Sequence, residues 1–214
     1  MQPLLLPETW PPSAEVTAAI ERWVAQHGDT ALQAAVSQGQ YRHADGLFYG
    51  GQAPTWSHQT LRTVLRTHAQ RARRIGWIDL HTGLGPSGVG ERICACRDDV
   101  VALKRARSWW GGGGQTPVTS IYDGSSTSAL LTGLMWNVAY EECPRAQYTG
   151  IAMEYGTVPI EEVIDALRGD HWLLLHPDAP EALRAAIKAR LLAAFHVDTD
   201  EWKARIVVQA RQAL

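Results

Sequence analysis

What this chain has little of narrows its class before any motif is read. Its 214 residues hold one asparagine, Asn137, and three cysteines, Cys94, Cys96 and Cys143. A small, odd cysteine count in a chain this long argues against a disulfide framework and favours a reducing compartment, so a cytoplasmic location is expected. No sign of charge dominates: 20 Lys+Arg against 22 Asp+Glu leave a formal net charge of −2. That balance argues against a nucleic-acid or acidic-membrane partner held by electrostatics. Long hydrophobic runs are missing too. The opening Met1-Gln-Pro-Leu-Leu-Leu-Pro7 sets three leucines between prolines with no basic flank, which is neither a signal peptide nor a membrane span. What is present suffices for a core. The composition is 45% hydrophobic, and a chain of this length buries roughly 70% of its unfolded surface. A single domain over residues 1–214 is therefore expected, and disorder is not.

Periodicity separates helices from strands. Val16, Ile20, Trp23 and Val24 recur at helical spacing behind Ser13, predicting a helix from Ser13 to about Gln26. A second helix is expected from Asp29 to a stop at Gly39, and a third after a cap at Ser57, with an ordered loop between them. Ile75 to His81 and Tyr148 to Glu154 read as two buried strands, each ending in a glycine-bearing turn. Glu91 to Cys96 reads as a further short strand. Helices are expected over Asp98–Trp110, Leu130–Tyr140, Pro159–Leu175, Ala179–Phe195 and Thr199–Gln212, with Gly111 to Gly114 as a surface connection. Buried strands among many helices indicate an α/β layered architecture.

His81 and Glu154 stand out because each is the last residue of an apolar strand. In open α/β sheets, sites form at the carboxyl ends of strands, so two such residues can face one crevice. An imidazole and a carboxylate there suit a metal ligand and a general base, while two polar strand ends in solvent are the plain alternative. Asp79 lies two residues before His81, on the same strand face, where it can orient the imidazole through its other nitrogen.

The phrases Ile78-Asp-Leu-His-Thr-Gly-Leu-Gly85 and Ile151-Ala-Met-Glu-Tyr-Gly-Thr157 resemble the second half of zinc carboxypeptidase-like hydrolases, specifically a bacterial branch catalogued as a domain of unknown function. Asp45-Gly-Leu-Phe-Tyr-Gly-Gly51, Tyr122-Asp-Gly-Ser-Ser126 and Asp200-Glu-Trp-Lys203 resemble that branch as well, so the similarity covers nearly the whole chain. The resemblance implies a three-layer α/β/α fold with a mixed, mostly parallel sheet. It implies a zinc site with His81 as third protein ligand, Glu154 as catalytic carboxylate acting on metal-bound water, and a peptide or amide substrate. It also places Tyr122, Asp123 and Ser125 near the cleft as substrate contacts.

The departures from that family are equally specific. Its first two zinc ligands come from an upstream His-x-x-Glu, and none of the eight histidines here has a glutamate three residues later. Its Asn-Arg element is missing as well, since Asn137 is followed by Val138. The chain thus looks like the C-terminal portion of the fold, incomplete at its N-terminal side. It is expected to bind zinc weakly and to be inactive alone, because catalytic zinc normally takes three protein ligands. The alternative is a metal-free remnant that binds a partner or peptide through the surface the absent half would cover, which self-association through an uncovered sheet face or edge would favour.

Other features have plainer readings. Cys94 and Cys96 are expected to be buried small hydrophobes. Arg62, Arg66, Arg71, Arg73 and Arg74 are expected to form a solvated face. Gly111 to Gly114 lacks the Lys-Ser/Thr of a phosphate loop. Trp23, Trp77 and Trp172 fall in core patterns, whereas Trp56, Trp109 and Trp110 flank loops and are candidates for exposure.

Overall fold

A computed structural model describes residues 2–112 and 117–214. Gly113 and Gly114 of the glycine run lie outside the described residues.

The amino-terminal part is helical, with α1 (Gln2–Leu5), α2 (Ala14–His27), α3 (Asp29–Ser37) and α4 (Trp56–His68). Ser13 caps α2 by accepting the Val16 N–H at 3.3 Å. Gly28, at φ 85°, supplies the left-handed turn into α3. The cap of α4 is Thr55 and not Ser57: the Thr55 hydroxyl accepts the His58 N–H at 3.3 Å, and Ser57 already lies inside the first turn. The chain continues through β1 (Arg74–Gly83), β2 (Gly90–Cys94), α5 (Val100–Trp110), β3 (Val118–Thr119), α6 (Asn137–Glu142) and β4 (Gln147–Gly156), then α7 (Ile160–Leu175), α8 (Glu181–Phe195) and α9 (Asp200–Ala213).

The strands form one sheet in the order β1-β4-β2-β3. The β1–β4 and β2–β3 pairs are parallel and the β2–β4 pair antiparallel, which gives the mixed, mostly parallel sheet of a three-layer α/β/α fold. On one face α4 and α6 bring Leu65, Val138 and Cys143 against Ile75 and Trp77. On the other, α5 and α9 bring Ala102, Ala106, Trp110, Trp202 and Ala213 against Ile151, Met153 and Tyr155.

Several local expectations change. β4 is central and buried from Tyr148 to Gly156, but β1 is the outer strand and not a buried one. Among the described residues it has a partner on one side only, so Ile75, Trp77 and Ile78 are half-buried and Leu80 is 60% exposed. The helix expected over Leu130–Tyr140 shrinks to Asn137–Glu142, because Gly133 at φ 70° breaks the run. Leu134 nonetheless packs on Ile93, Ile121 and Ala152. The basic cluster divides. Arg62 and Arg66 are not a free face: they bind Glu142 at 2.6 Å each, and Arg62 reaches Glu141 at 2.5 Å, which ties α4 to α6.

Cys94, Cys96 and Cys143 are free and buried. Trp56 and Trp109 are exposed, whereas Trp110 is buried and donates its indole N–H to the Ala213 carbonyl at 2.9 Å. No described helix is long and apolar enough to cross a membrane.

This packing separates two positions on one sheet face. Met153, with no exposed surface, loses about 2–5 kcal/mol of stability on substitution by alanine. Leu80→Ala on the open edge changes stability by less than about 0.5 kcal/mol. Urea unfolding of the two variants measures both, and equal losses would contradict the assignment of β1 to the edge.

Candidate functional site

The parallel register of β1 and β4 pairs His81 with Glu154, and the antiparallel register of β2 pairs Glu154 with Glu91. Residues paired across strands share a face, so an imidazole and two carboxylates form one row at strand spacings of about 4.8 Å. His81 directs Nδ1 at Glu154 Oε2, 3.5 Å away, and Nε2 at Asp79 Oδ2, 2.9 Å away. Asp79 therefore orients the ring through its second nitrogen. Asp79 first, and Glu154 second, push the imidazole up to about 10 from the usual 6.5, against the opposing effect of burial.

Glu154 is 7% exposed, and its other oxygen, Oε1, accepts the Leu84 N–H at 2.9 Å. The loop after β1 thus fixes the carboxylate at the end of β4. That loop comes close because position 156 is glycine: a β-carbon there would lie 2.2 Å from the carbonyl oxygens of Gly85 and Pro86.

Glu91 was not singled out by the sequence. It is buried and saturated with donors: the Thr119 hydroxyl at 2.5 Å, the Thr127 N–H at 3.2 Å and the Thr127 hydroxyl. The Thr127 carbonyl in turn accepts from the Gln33 side-chain amide of α3 at 3.0 Å. Glu91 is therefore a positioning residue, anchoring the loop after β3 beside the His81–Glu154 pair. Only the antiparallel register of β2 against β4 reveals it, and no local pattern encodes that register.

A cavity of about 630 Å³ opens next to this row, bounded by residues 84–87 after β1, residues 157–161 after β4, Thr127 and Gln33. It adjoins the pair through Leu84, which holds Glu154, and Thr127, which is held by Glu91. Tyr122, Asp123 and Ser125 do not line it. Asp123 accepts the Ser125 N–H at 3.0 Å and faces Arg107 of α5 at 3.6 Å. Ser125 Oγ accepts the Ser120 N–H at 3.0 Å, so these side chains close their own turn. Bonds from Ser125 hold the Asp123 carboxyl below its usual range.

An imidazole fixed by one carboxylate and facing a second, at the ends of two parallel strands beside a cavity, can hold and move a proton. Fold and site together define an α/β sheet protein with an imidazole–carboxylate centre at the carboxyl ends of its strands. The chain belongs to the family described as protein of unknown function DUF2817, whose model matches residues 1–209. No curated protein and no solved structure matches it.

Two outcomes follow from these contacts. Because His81 is raised from 6.5 to about 10, the stability its ion pairs lend is complete below pH 6.5 and is lost as pH rises through 10. Asp79→Asn removes much of that pH dependence, so denaturation curves of the two proteins converge toward pH 10; curves that stay parallel would contradict the pairing. Glu91→Gln trades a buried carboxylate acceptor for an amide and costs about 1–3 kcal/mol, with faster hydrogen exchange at the Thr127 amide.

Proposed function

We propose that this chain carries the carboxylate half of a zinc-dependent amide hydrolase centre of the carboxypeptidase-like kind, with Glu154 as general base and acid and His81 as one metal ligand. The observation that carries the reading is the register pairing of His81 with Glu154 at the carboxyl ends of parallel strands, with Asp79 fixing the far side of the imidazole. Glu154 is suited to the role because Leu84 holds one oxygen and leaves the other turned toward His81. A carboxylate so placed accepts a proton from water and delivers it to a leaving amine without moving its backbone.

The residues present do not by themselves fit a zinc ion. Among the described residues no group of three His, Cys, Asp or Glu side chains is placed to hold a metal. His81 supplies one imidazole, and both of its nitrogens face carboxylates. A catalytic zinc takes about three protein ligands and a water, so two donors would have to come from residues outside these 214. The reading is therefore of a centre that is metal-free and inactive in this chain alone.

A second reading has its own observation. Among the described residues β1 presents one unpaired edge over Arg74–Gly83, with Leu80 exposed on it, and an open edge of this length invites strand pairing. As a metal-free interaction module, the chain would associate through that edge.

Elemental analysis of the purified chain separates the cases. The hydrolase reading expects far less than one zinc per chain, and peptidase activity that appears only when a polypeptide bearing a His-x-x-Glu segment is added and that Glu154→Gln abolishes. One tightly held zinc lost in His81→Ala would refute the incomplete-centre account. Concentration-dependent association abolished by Leu80→Lys, with no activity under any pairing, would favour the interaction module.

A further inference from the structure

The cavity beside Glu154 has a charge pattern of its own. Its apolar wall is formed by Leu84, Val158, Pro159 and Ile160, and among the described residues the one ionisable side chain along it is Glu161, in the first turn of α7. No lysine, arginine or histidine lines it among the described residues. Arg205, which packs on Gly88 just past the 84–87 loop, is taken by Glu201 at 2.7 Å. An anionic group entering here meets a carboxylate with no cation to offset the repulsion. A long side chain ending in a cation finds an apolar wall for its stem and Glu161 for its head.

One effect opposes this. The amino end of α7 opens at the same place, and free helix N–H groups favour anions. Glu161 and Glu162 stand in that first turn and offset it. At about 630 Å³ the cavity falls within the roughly 300–1,000 Å³ of small-molecule sites. That is room for a whole residue with its flanking amides.

We propose that this cavity binds a basic residue of lysine or arginine type, with Glu161 taking the cation. Its role as the substrate's basic residue rests on the amide-hydrolase reading above; the binding itself does not.

The test uses the full chain and three probes: the Nα-acetyl methylamides of lysine, norleucine and glutamate. Each is titrated while the backbone amides of Leu84, Thr127 and Ile160 are followed by nuclear magnetic resonance. The lysine compound is expected to shift these amides and to bind up to about five-fold more tightly than norleucine, the advantage of one exposed ion pair. The glutamate compound is expected to bind most weakly. Glu161→Gln, a change at an exposed position that preserves the spectrum elsewhere, erases the lysine advantage. Glutamate binding as well as lysine, or a lysine advantage that survives Glu161→Gln, overturns the proposal. A lysine preference in a chain that takes up no zinc and cleaves nothing supports it, while an active centre with no such preference overturns it and leaves the hydrolase reading standing.

Discussion

Everything at the candidate site depends on the register between β1 and β4. The two strands pair from Arg74 with Gln147 to Gly83 with Gly156, and a slip of one residue would turn His81 and Glu154 to opposite faces. The register is specified by burial more than by hydrogen bonds. Ile151 and Met153 have no exposed surface and the whole of β4 from Tyr148 on is buried, so a shift would carry Glu154 into apolar packing. Gly156 adds a steric condition, because the 85–86 backbone closes over the strand at that residue.

The second constraint is the disposal of negative charge. Asp79, Glu154 and Glu91 lie within two residues of one row across the sheet, and a buried carboxylate without donors is costly. Each is answered differently. Asp79 and Glu154 share the His81 imidazolium, Glu154 adds the Leu84 N–H, and Glu91 is satisfied by the hydroxyls of Thr119 and Thr127 and the Thr127 N–H. This division leaves Glu91 locked in place, while Glu154 keeps one oxygen turned to the imidazole. The loops that supply these donors are also the walls of the cavity, so satisfying the charges shapes the space beside them.

Much of this was legible in the sequence where a local pattern encodes it. The placement of His81 and Glu154 near the carboxyl ends of strands that each run two residues further, the i, i+2 relation of Asp79 and the Ser13 cap follow from period and residue type alone. What escaped was set by long-range pairing. β1 has the same apolar pattern as β4 yet lies at the edge, because strand order is decided by contacts distant in the chain. Glu91 is invisible until β2 is known to run antiparallel beside β4. Thr127, eight residues after β3 ends, enters the site through a carboxylate 36 positions away, whereas Asp123 and Ser125 of the same loop satisfy one another locally and Tyr122 is exposed.

The account stands on a physical contact between the imidazole of one strand and the carboxylate of the next. The direct measurement is the titration of the His81 ring followed through its nitrogen-15 and carbon-bound proton resonances, in the native chain and in Glu154→Gln. The account predicts an imidazolium that persists well above pH 8 in the native chain and titrates at clearly lower pH in the variant. A ring that titrates near 6.5 and is indifferent to residue 154 would contradict it.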